Sequence, residues 1–499
     1  MHLSFDRVSF SFRDSAPLLA DVSLRFGAGW TGVVGANGSG KTTLLRLALG
    51  ELVPDSGRVT REPRGLVLVA VPQRIEELAP EIESLAAARD GGARRVRQSL
   101  GLEPADLERW PTLSPGERKR WQIGAALARE PEGVVLDEPT NHLDREAREL
   151  LAGALRRFSG VGIVVSHDRE LLDSLCGDTV RVASQSARAY RGGYSVARET
   201  WRHGEAELRA RHAGLRDAAR ALERRIGERR TERAHAEANM RTSKRMKSSH
   251  DSDARGRFKM TRRRSAMTQL GREISRTHSA LERVQGRLAE IELRKEVGAA
   301  LFVDWEPARA PLLASVCEES LRAGSHSVLD GVDLSLARDS RIWLSGPNGS
   351  GKTTLLRALL RGARIPAERL LVLPQEMDEA DERALLDRAR ELDPDARGRL
   401  LALVAALGVE PRRLLESQRP SPGEARKLAL ALGLARRAWA LVLDEPTNHL
   451  DLPSIERLEA ALAEYPGALV LATHDARLAQ ACTNLCWRIR ARRVDVEGA

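Results

Sequence analysis

A duplication constrains this chain more than any other feature. "GANGSGKTTLLRLAL" at 35–49 returns as "GPNGSGKTTLLRALL" at 346–360, and "VVLDEPTNHLD" at 134–144 returns as "LVLDEPTNHLD" at 441–451. The internal distances repeat too. Ser114 to Asp137 and Ser421 to Asp444 are both 23 residues, and Asp137 to His167 and Asp444 to His474 are both 30. A chain of 499 residues is too long for one ordinary core. Two copies of one unit, each with its own interior, account for most of it.

Each copy opens on G-x-x-x-x-G-K-[ST]. "TGVVG" and "RIWLSG" read as short buried strands before the loops, and "KTTLLRLAL" and "KTTLLRALL" as helices after them. Strand, glycine loop and helix is the context this motif needs, because backbone N–H groups can then close around phosphates at a helix N-terminus. The predicted fold class is therefore α/β, with two P-loop NTPase domains. Gly35, Asn37, Gly38, Gly40, Lys41, Thr42 and Thr43 form the first candidate phosphate site. Gly346, Asn348, Gly349, Gly351, Lys352, Thr353 and Thr354 form the second. The lysines are placed for the β- and γ-phosphates, and Thr42 and Thr353 for Mg²⁺.

"GVVLDEP" and "ALVLDEP" are apolar, β-rich runs ending in Asp–Glu, which puts both acids at the C-terminal edge of parallel strands where ligands bind in open α/β sheets. Asp137 and Asp444 suit the Mg²⁺ shell. Glu138 and Glu445 are candidates for polarising an attacking water, and His167 and His474 for sensing the γ-phosphate. Phosphoryl transfer to water requires positioning and charge neutralisation, and this set supplies both.

"TLSPGERKRW" at 112–121 and "RPSPGEARKL" at 419–428 each carry Ser-Pro-Gly-Glu. The plain reading is a helix start, with Ser114 or Ser421 as N-cap, proline in the first turn and glutamate closing a capping box. Such an N-terminus, with its positive dipole end, also suits a γ-phosphate.

Phosphate loop, a glutamine after a strand (Gln73, Gln375), SPGE, "LDEPTNHLD" and Ser/Thr-His-Asp, twice in that order, resemble the nucleotide-binding domains of the ATP-binding cassette superfamily. The resemblance implies ATP and Mg²⁺ as cofactors, with Gln73 joining Thr42 and Asp137, and Gln375 joining Thr353 and Asp444, around the metal. It implies that SPGE is the signature motif and that the cassettes close head to tail within one monomer. Ser421 and Gly423 would then complete the site at Lys41, and Ser114 and Gly116 the site at Lys352. Phe12 is the adenine-stacking candidate; Arg322 stands at the matching place in the second copy. Pro115 and Pro422 depart from the usual signature glycine.

The stretch between the copies differs in kind. Residues 201–300 hold 26 Lys or Arg against 14 Asp or Glu, so their net of +12 exceeds the whole chain's +10. Apolar residues at helical spacing predict an antiparallel helical hairpin, with one arm over about 205–238 along Leu208, Leu215, Ala219, Leu222 and Ile226. The other spans about 265–296 along Met267, Leu270, Ile274, Thr277, Leu281, Val284, Leu288 and Ile291. An arm of about 35 residues at ~1.5 Å each gives a rod of roughly 50 Å. The turn concentrates charge in Arg241, Lys244, Arg245, Lys247, Arg255, Arg257, Lys259, Arg262, Arg263 and Arg264, with Phe258 as its one aromatic. A basic run can be a solvated face; the sharper expectation is RNA contact through phosphates. Neutralising about five phosphates predicts a slope of log K on log salt near −3.5 to −4.5.

The domain layout expected is 1–195, 196–300 and 301–499, the middle one a long α-helical hairpin linker. Twin cassettes with such a linker, and "RGGYSVARE" before it, resemble the F branch of the superfamily. That resemblance implies a ribosome-acting ATPase that binds rRNA and P-site tRNA in the ATP state, modulating translation or protecting against antibiotics. Branched-DNA binding and the energising subunit of a sugar importer remain alternatives. The N-terminus lacks a signal peptide's pattern, no apolar run reaches 18 residues, and the four cysteines form no CxxC pair. A cytoplasmic protein without membrane partner, metal cluster or disulfide is expected.

Overall fold

The computed structural model describes residues 1–12, 16–71, 77–245, 253–289, 305–324 and 326–498, with the side chains of 239–245 and 253–264 outside the description. Each copy builds a six-stranded sheet, and the two strand orders are the same. In the first the order is Leu68–Val71, Gly133–Asp137, Val161–Val165, Gly29–Gly35, Cys176–Ala183, Ser186–Arg191. In the second it is Leu370–Leu373, Ala440–Asp444, Ala468–Ala472, Arg341–Ser345, Leu485–Arg490, Arg493–Gly498. All neighbours pair in parallel except the last, which is an antiparallel hairpin.

The central strands show why short apolar runs fold here. Every residue of Val161–Val165 and of Ala468–Ala472 is buried, because helices cover a parallel sheet on both faces. Antiparallel strands flank each sheet, His2–Phe10 between Leu19–Phe26 and Ser56–Glu62 in the first copy, Leu312–Ala323 with His326–Ala337 in the second. The phosphate-loop helices Lys41–Leu49 and Lys352–Arg361 pack their leucines into the two cores.

Contacts group the chain into two compact units, Met1–Ala197 together with Val297–Ala499, and Arg198–Glu296. The first unit holds both cassettes. The second is helical, formed by most of Tyr194–Arg245 and by Asp253–Ala289. Its seam joins Ala219, Ile226 and Leu281, with Leu222, Val284 and Leu288 packed on them. Arg229 Nε, 3.3 Å from Glu273 Oε2, adds an ion pair between the helices. The first helix extends beyond the expected 205–238 at both ends. The first helix runs 52 residues, about 78 Å at ~1.5 Å per residue, since Gly204, Gly214 and Gly227 stay within it. Leu208 is 38% exposed and lies outside the seam; Ile291 lies outside the described residues.

No described helix is long and apolar enough to cross a membrane.

Candidate nucleotide sites between the two cassettes

The phosphate loops are shaped by glycine. Gly40 and Gly351, each just before its helix, have φ of 103° and 100°, a left-handed conformation that L side chains rarely adopt. A Cβ on Gly351 would also lie 2.5 Å from Val328 Cγ1. Lys41 is buried, its Nζ donating to the carbonyls of Gly35 at 2.9 Å and Ala36 at 3.0 Å. Lys352 Nζ donates to Gly346 at 2.7 Å and Pro347 at 3.1 Å, and lies 3.2 Å from His474 Nε2. Burial lowers the pKa of both ammoniums, against the pull of nearby acids. Both lysines are thus poised to gain from an anion.

Asp137 and Asp444 end their strands, and Glu138 and Glu445 follow at φ of 47° and 45°. A left-handed non-glycine residue is strained, and here the strain recurs at matched positions beside His167 and His474. Burial, then the Asp137 charge, pushes the Glu138 carboxyl up to about 8; burial pushes Glu445 up to about 7. His167 donates its backbone N–H to Glu138 Oε2 at 3.3 Å, and its ring Nε2 lies 3.1 Å from Oε1 without hydrogen-bond alignment. His474 repeats this at 3.4 Å and 3.6 Å, and its Nε2 is 3.0 Å from Asn348 Oδ1. Burial and the loop lysines hold both imidazoles down at about 3, so each is neutral near pH 7.

The Thr353 hydroxyl donates to Asp444 Oδ2 at 2.9 Å. Hydroxyl and carboxylate oxygens are the hard donors Mg²⁺ prefers, and burial raises the Asp444 pKa, a cost that a cation would relieve. The residues present therefore fit the metal. Gln375 is exposed beyond Leu370–Leu373, and only its backbone carbonyl has a described bond, from Arg426. Gln73 lies outside the described residues.

Both signature motifs are capping boxes. Ser114 Oγ accepts from Glu117 N at 3.2 Å, while Glu117 Oε2 accepts from Ser114 N at 2.8 Å and from its hydroxyl at 2.7 Å. Ser421 and Glu424 repeat the arrangement. Pro115 and Pro422 occupy the first helical turn, where the missing N–H costs nothing.

The cassettes meet head to tail. Asn37 donates its backbone N–H to Asp451 Oδ2 at 2.7 Å and its side chain to the His449 carbonyl at 3.4 Å. Asn348 makes the mirror contacts to Asp144 Oδ2 at 3.4 Å and the His142 carbonyl at 3.2 Å. Gly423 and Gly116 lie against those same carbonyls, where a Cβ would come within 2.7 and 2.8 Å. Each signature glycine is thereby set beside the other cassette's phosphate loop.

A cavity of about 630 Å³ is lined by Phe12, Gly38, Lys41, Thr42, Asp137, Glu138 and His167 from the first cassette and by Ser421, Pro422 and Gly423 from the second. Phe12 is half-exposed and packs edge-on against Phe10 at 4.9 Å between centroids. The second phosphate loop borders a cavity of about 850 Å³ lined by Gly346, Pro347, Gly349, Ser350 and His474 with Asp144, Arg145, Glu146 and Glu149 of the first cassette. Ser114, Gly116 and Arg322 do not border that cavity; the link from Gly116 runs through His142 to Asn348.

Sequence reasoning missed Lys119 and Arg426. Five residues after each signature serine, they turn back to the acids: Lys119 Nζ lies 3.4 Å from the Asp137 carbonyl, and Arg426 Nη1 donates to the Glu445 carbonyl at 3.0 Å. Burial brings Lys119 down to about 8. The available signal was a cation at the same step in "SPGERK" and "SPGEAR".

A family model described as "ABC transporter" matches residues 19–141 and 329–448, one stretch in each cassette. The chain is 31% identical to the tylosin resistance ATP-binding protein TlrC of Streptomyces fradiae, over 93% of both chains. It belongs to the ATP-binding cassette F family. Like its family, it is an ATP hydrolase built from two cassettes. It is also 28% identical to the ribosome protection protein VmlR of Bacillus subtilis, over 91% of this chain and 80% of that one. Among solved structures, a complex of archaeal ribosomal stalk protein aP1 and ribosome recycling factor aABCE1 shares the fold. The TM-score is 0.60 at 19% identity, covering 99% of this chain and 90% of that one.

Proposed function

We propose that this F-family ATPase acts in the cytoplasm as a monomer on the ribosome, binding with ATP between closed cassettes, modulating translation or countering antibiotics, and leaving after hydrolysis. The observation that carries this reading is the separate helical unit Arg198–Glu296, which stands in the sequence between two cassettes that meet head to tail. Residues 201–300 carry a net +12, which suits a phosphate-rich partner. The relatives named for ribosome protection and tylosin resistance support the same reading. The turn candidates from Arg241 to Arg264 would contact rRNA and P-site tRNA; they lie outside the residues whose side chains are described.

At each site, Glu138 or Glu445 would orient water toward the γ-phosphate, and neutral His167 or His474 would hold that group in line. Lys41 and Lys352 would take its charge as the bond to the leaving diphosphate breaks. Ser421 and Gly423 would close the first site, and Ser114 and Gly116 the second, each from the opposite cassette. Mg²⁺ held by Thr42, Asp137 and Gln73, or by Thr353, Asp444 and Gln375, would supply charge neutralisation.

The test is Glu138→Gln with Glu445→Gln in the full chain. The double variant should bind ATP without turnover and comigrate with ribosomes on a sucrose gradient. Free sedimentation in ATP would defeat the ribosome reading, and comigration with branched DNA instead would favour that alternative.

A further inference from the structure

The second signature helix, Pro422–Ala435, is buried at every residue from Ala425 to Leu434, yet two of those residues are cations, Arg426 and Lys427. Arg426 is the deeper, at 2% exposed. A charge in such a place costs free energy unless partners hold it. The partners here are two backbone carbonyls: Nη1 donates to Glu445 at 3.0 Å, and Nη2 to Gln375. Burial lowers the guanidinium pKa, and the charges of Glu445, Asp444 and Glu376 counter it.

The Glu445 carbonyl is one that needs holding. Its residue is left-handed at φ 45°, a conformation that persists only where the surroundings over-determine it. The Glu445 N–H donates to the Ala472 carbonyl at 2.8 Å, and the Glu445 carbonyl accepts from Asn448 N at 3.2 Å as well as from Arg426. Of these three bonds, the arginine's also carries a link onward, to Gln375 beyond the strand Leu370–Leu373. The first cassette places a cation at the same step. Lys119 follows Ser114 by five residues, as Arg426 follows Ser421, and is 6% exposed. Its Nζ lies 3.4 Å from the Asp137 carbonyl, next to Glu138 at φ 47°. Both copies therefore aim a buried cation from the signature helix at the backbone of the Asp–Glu step.

We propose that Arg426, and Lys119 in the first cassette, are positioning residues for ATP hydrolysis, each fixing the backbone at the Asp–Glu step so that Glu445 or Glu138 keeps the angle from which it orients water. Arg426 sets the Gln375 segment in the same act. This rests on Glu138 and Glu445 being the water-orienting residues.

ATP turnover of the full chain is the first test. Lys119→Met with Arg426→Met, which keeps the stems and loses the donors, should lower kcat about tenfold or more with KM within about twofold, since the acids are misplaced and nucleotide binding is not. Arg426→Lys, with Lys119 left in place, should keep kcat within about threefold, because a lysine serves at this step in the first cassette. Turnover within about twofold of wild type in the methionine pair overturns the proposal, as does a rise in KM with kcat unchanged. A loss in Arg426→Lys as deep as in the methionine pair overturns it too. Should the methionine pair not fold, Lys119→Gln with Arg426→Gln, polar but too short to reach the carbonyls, must show the same loss, and full turnover there is equally fatal. Amide exchange gives a reading independent of the glutamates: with Arg426→Met alone, the N–H groups of Glu445 and Asn448 should exchange about tenfold faster while those of the strand Arg341–Ser345 stay unchanged. If Glu138→Gln with Glu445→Gln leaves turnover intact, the water-orienting assignment fails, and exchange decides Arg426 by itself; unchanged protection at Glu445 and Asn448 ends it.

Discussion

Glu138 and Glu445 share a backbone conformation that a side chain rarely adopts, at φ of 47° and 45°, and each sits where its strand hands over to the next loop. The twist aims the carboxylate toward the histidine, 3.1 Å from His167 in one cassette and 3.6 Å from His474 in the other. The signature serines illustrate the same economy at a helix start. Ser421→Ala removes a capping box and should cost about 1 kcal/mol, read by chemical denaturation. Gly423→Ala acts differently, because its Cβ would press on the His449 carbonyl at 2.7 Å, the group that accepts from Asn37. Overpacking of this kind costs about 1–3 kcal/mol. Because Gly423 and His449 lie in the same cassette, the substitution should lower the melting temperature by a few degrees and, by shifting the carbonyl that Asn37 bonds, cut ATP turnover about tenfold or more; normal turnover would contradict this. These residues were legible because a phosphate loop, an Asp–Glu pair and a cap are local patterns. Lys119 and Arg426 were not, since what they touch is set by how the signature helix crosses the sheet.

At the scale of elements, helix N-termini do more than begin helices. Asp451 caps Leu452–Glu464, accepting from Ser454 N at 3.0 Å, and also accepts from Asn37 N of the opposite cassette at 2.7 Å. Burial raises its pKa, but Lys427, Ser454 and Asn37 together outweigh that and hold it below the usual carboxylate value. A depressed carboxylate stabilises the folded chain above its unfolded pKa, and that contribution is lost as pH falls through the folded value. The stability gap between the wild-type chain and Asp451→Asn should thus be constant from about pH 8 to 5 and shrink below about pH 4. Arg477 and Tyr194 form a second clamp. Arg477 Nη1 donates to Ser195 Oγ at 2.8 Å and its Nη2 to Asp173 Oδ2, while the Tyr194 hydroxyl donates to Glu456. Tyr194 and Ser195 of "RGGYS" thus tie the end of the first cassette to the second. A double-mutant cycle on Arg477 and Asp173 should give a coupling of about 1 kcal/mol by denaturation.

At the scale of the whole molecule, the helical unit Arg198–Glu296 is compact in its own right, with its seam closed by Ala219, Ile226 and Leu281. Replacing residues 243–259 with a short Gly-Ser linker should leave basal ATP turnover within about twofold, because the sites are built wholly from the cassettes. The same change should flatten the salt dependence of ribosome binding from a slope near −3.5 to −4.5 by about 0.7–0.9 per lost phosphate contact. Full ribosome-dependent activity after the replacement would remove the role assigned to the turn. The sequence by itself determined the duplication, the sheet-edge acids, the phosphate loops and a helical linker, because each is written in short-range periodicity or in a motif whose chemistry is local. Tertiary structure alone supplied the contacts that join the cassettes, since Asn37 meets Asp451 across 414 residues and Arg169 meets Asp475 across 306. It also decided that the two copies differ where they meet: Arg148 and Arg169 reach His474 and Asp475, and the matching positions in the second copy hold Ile455 and Ala476.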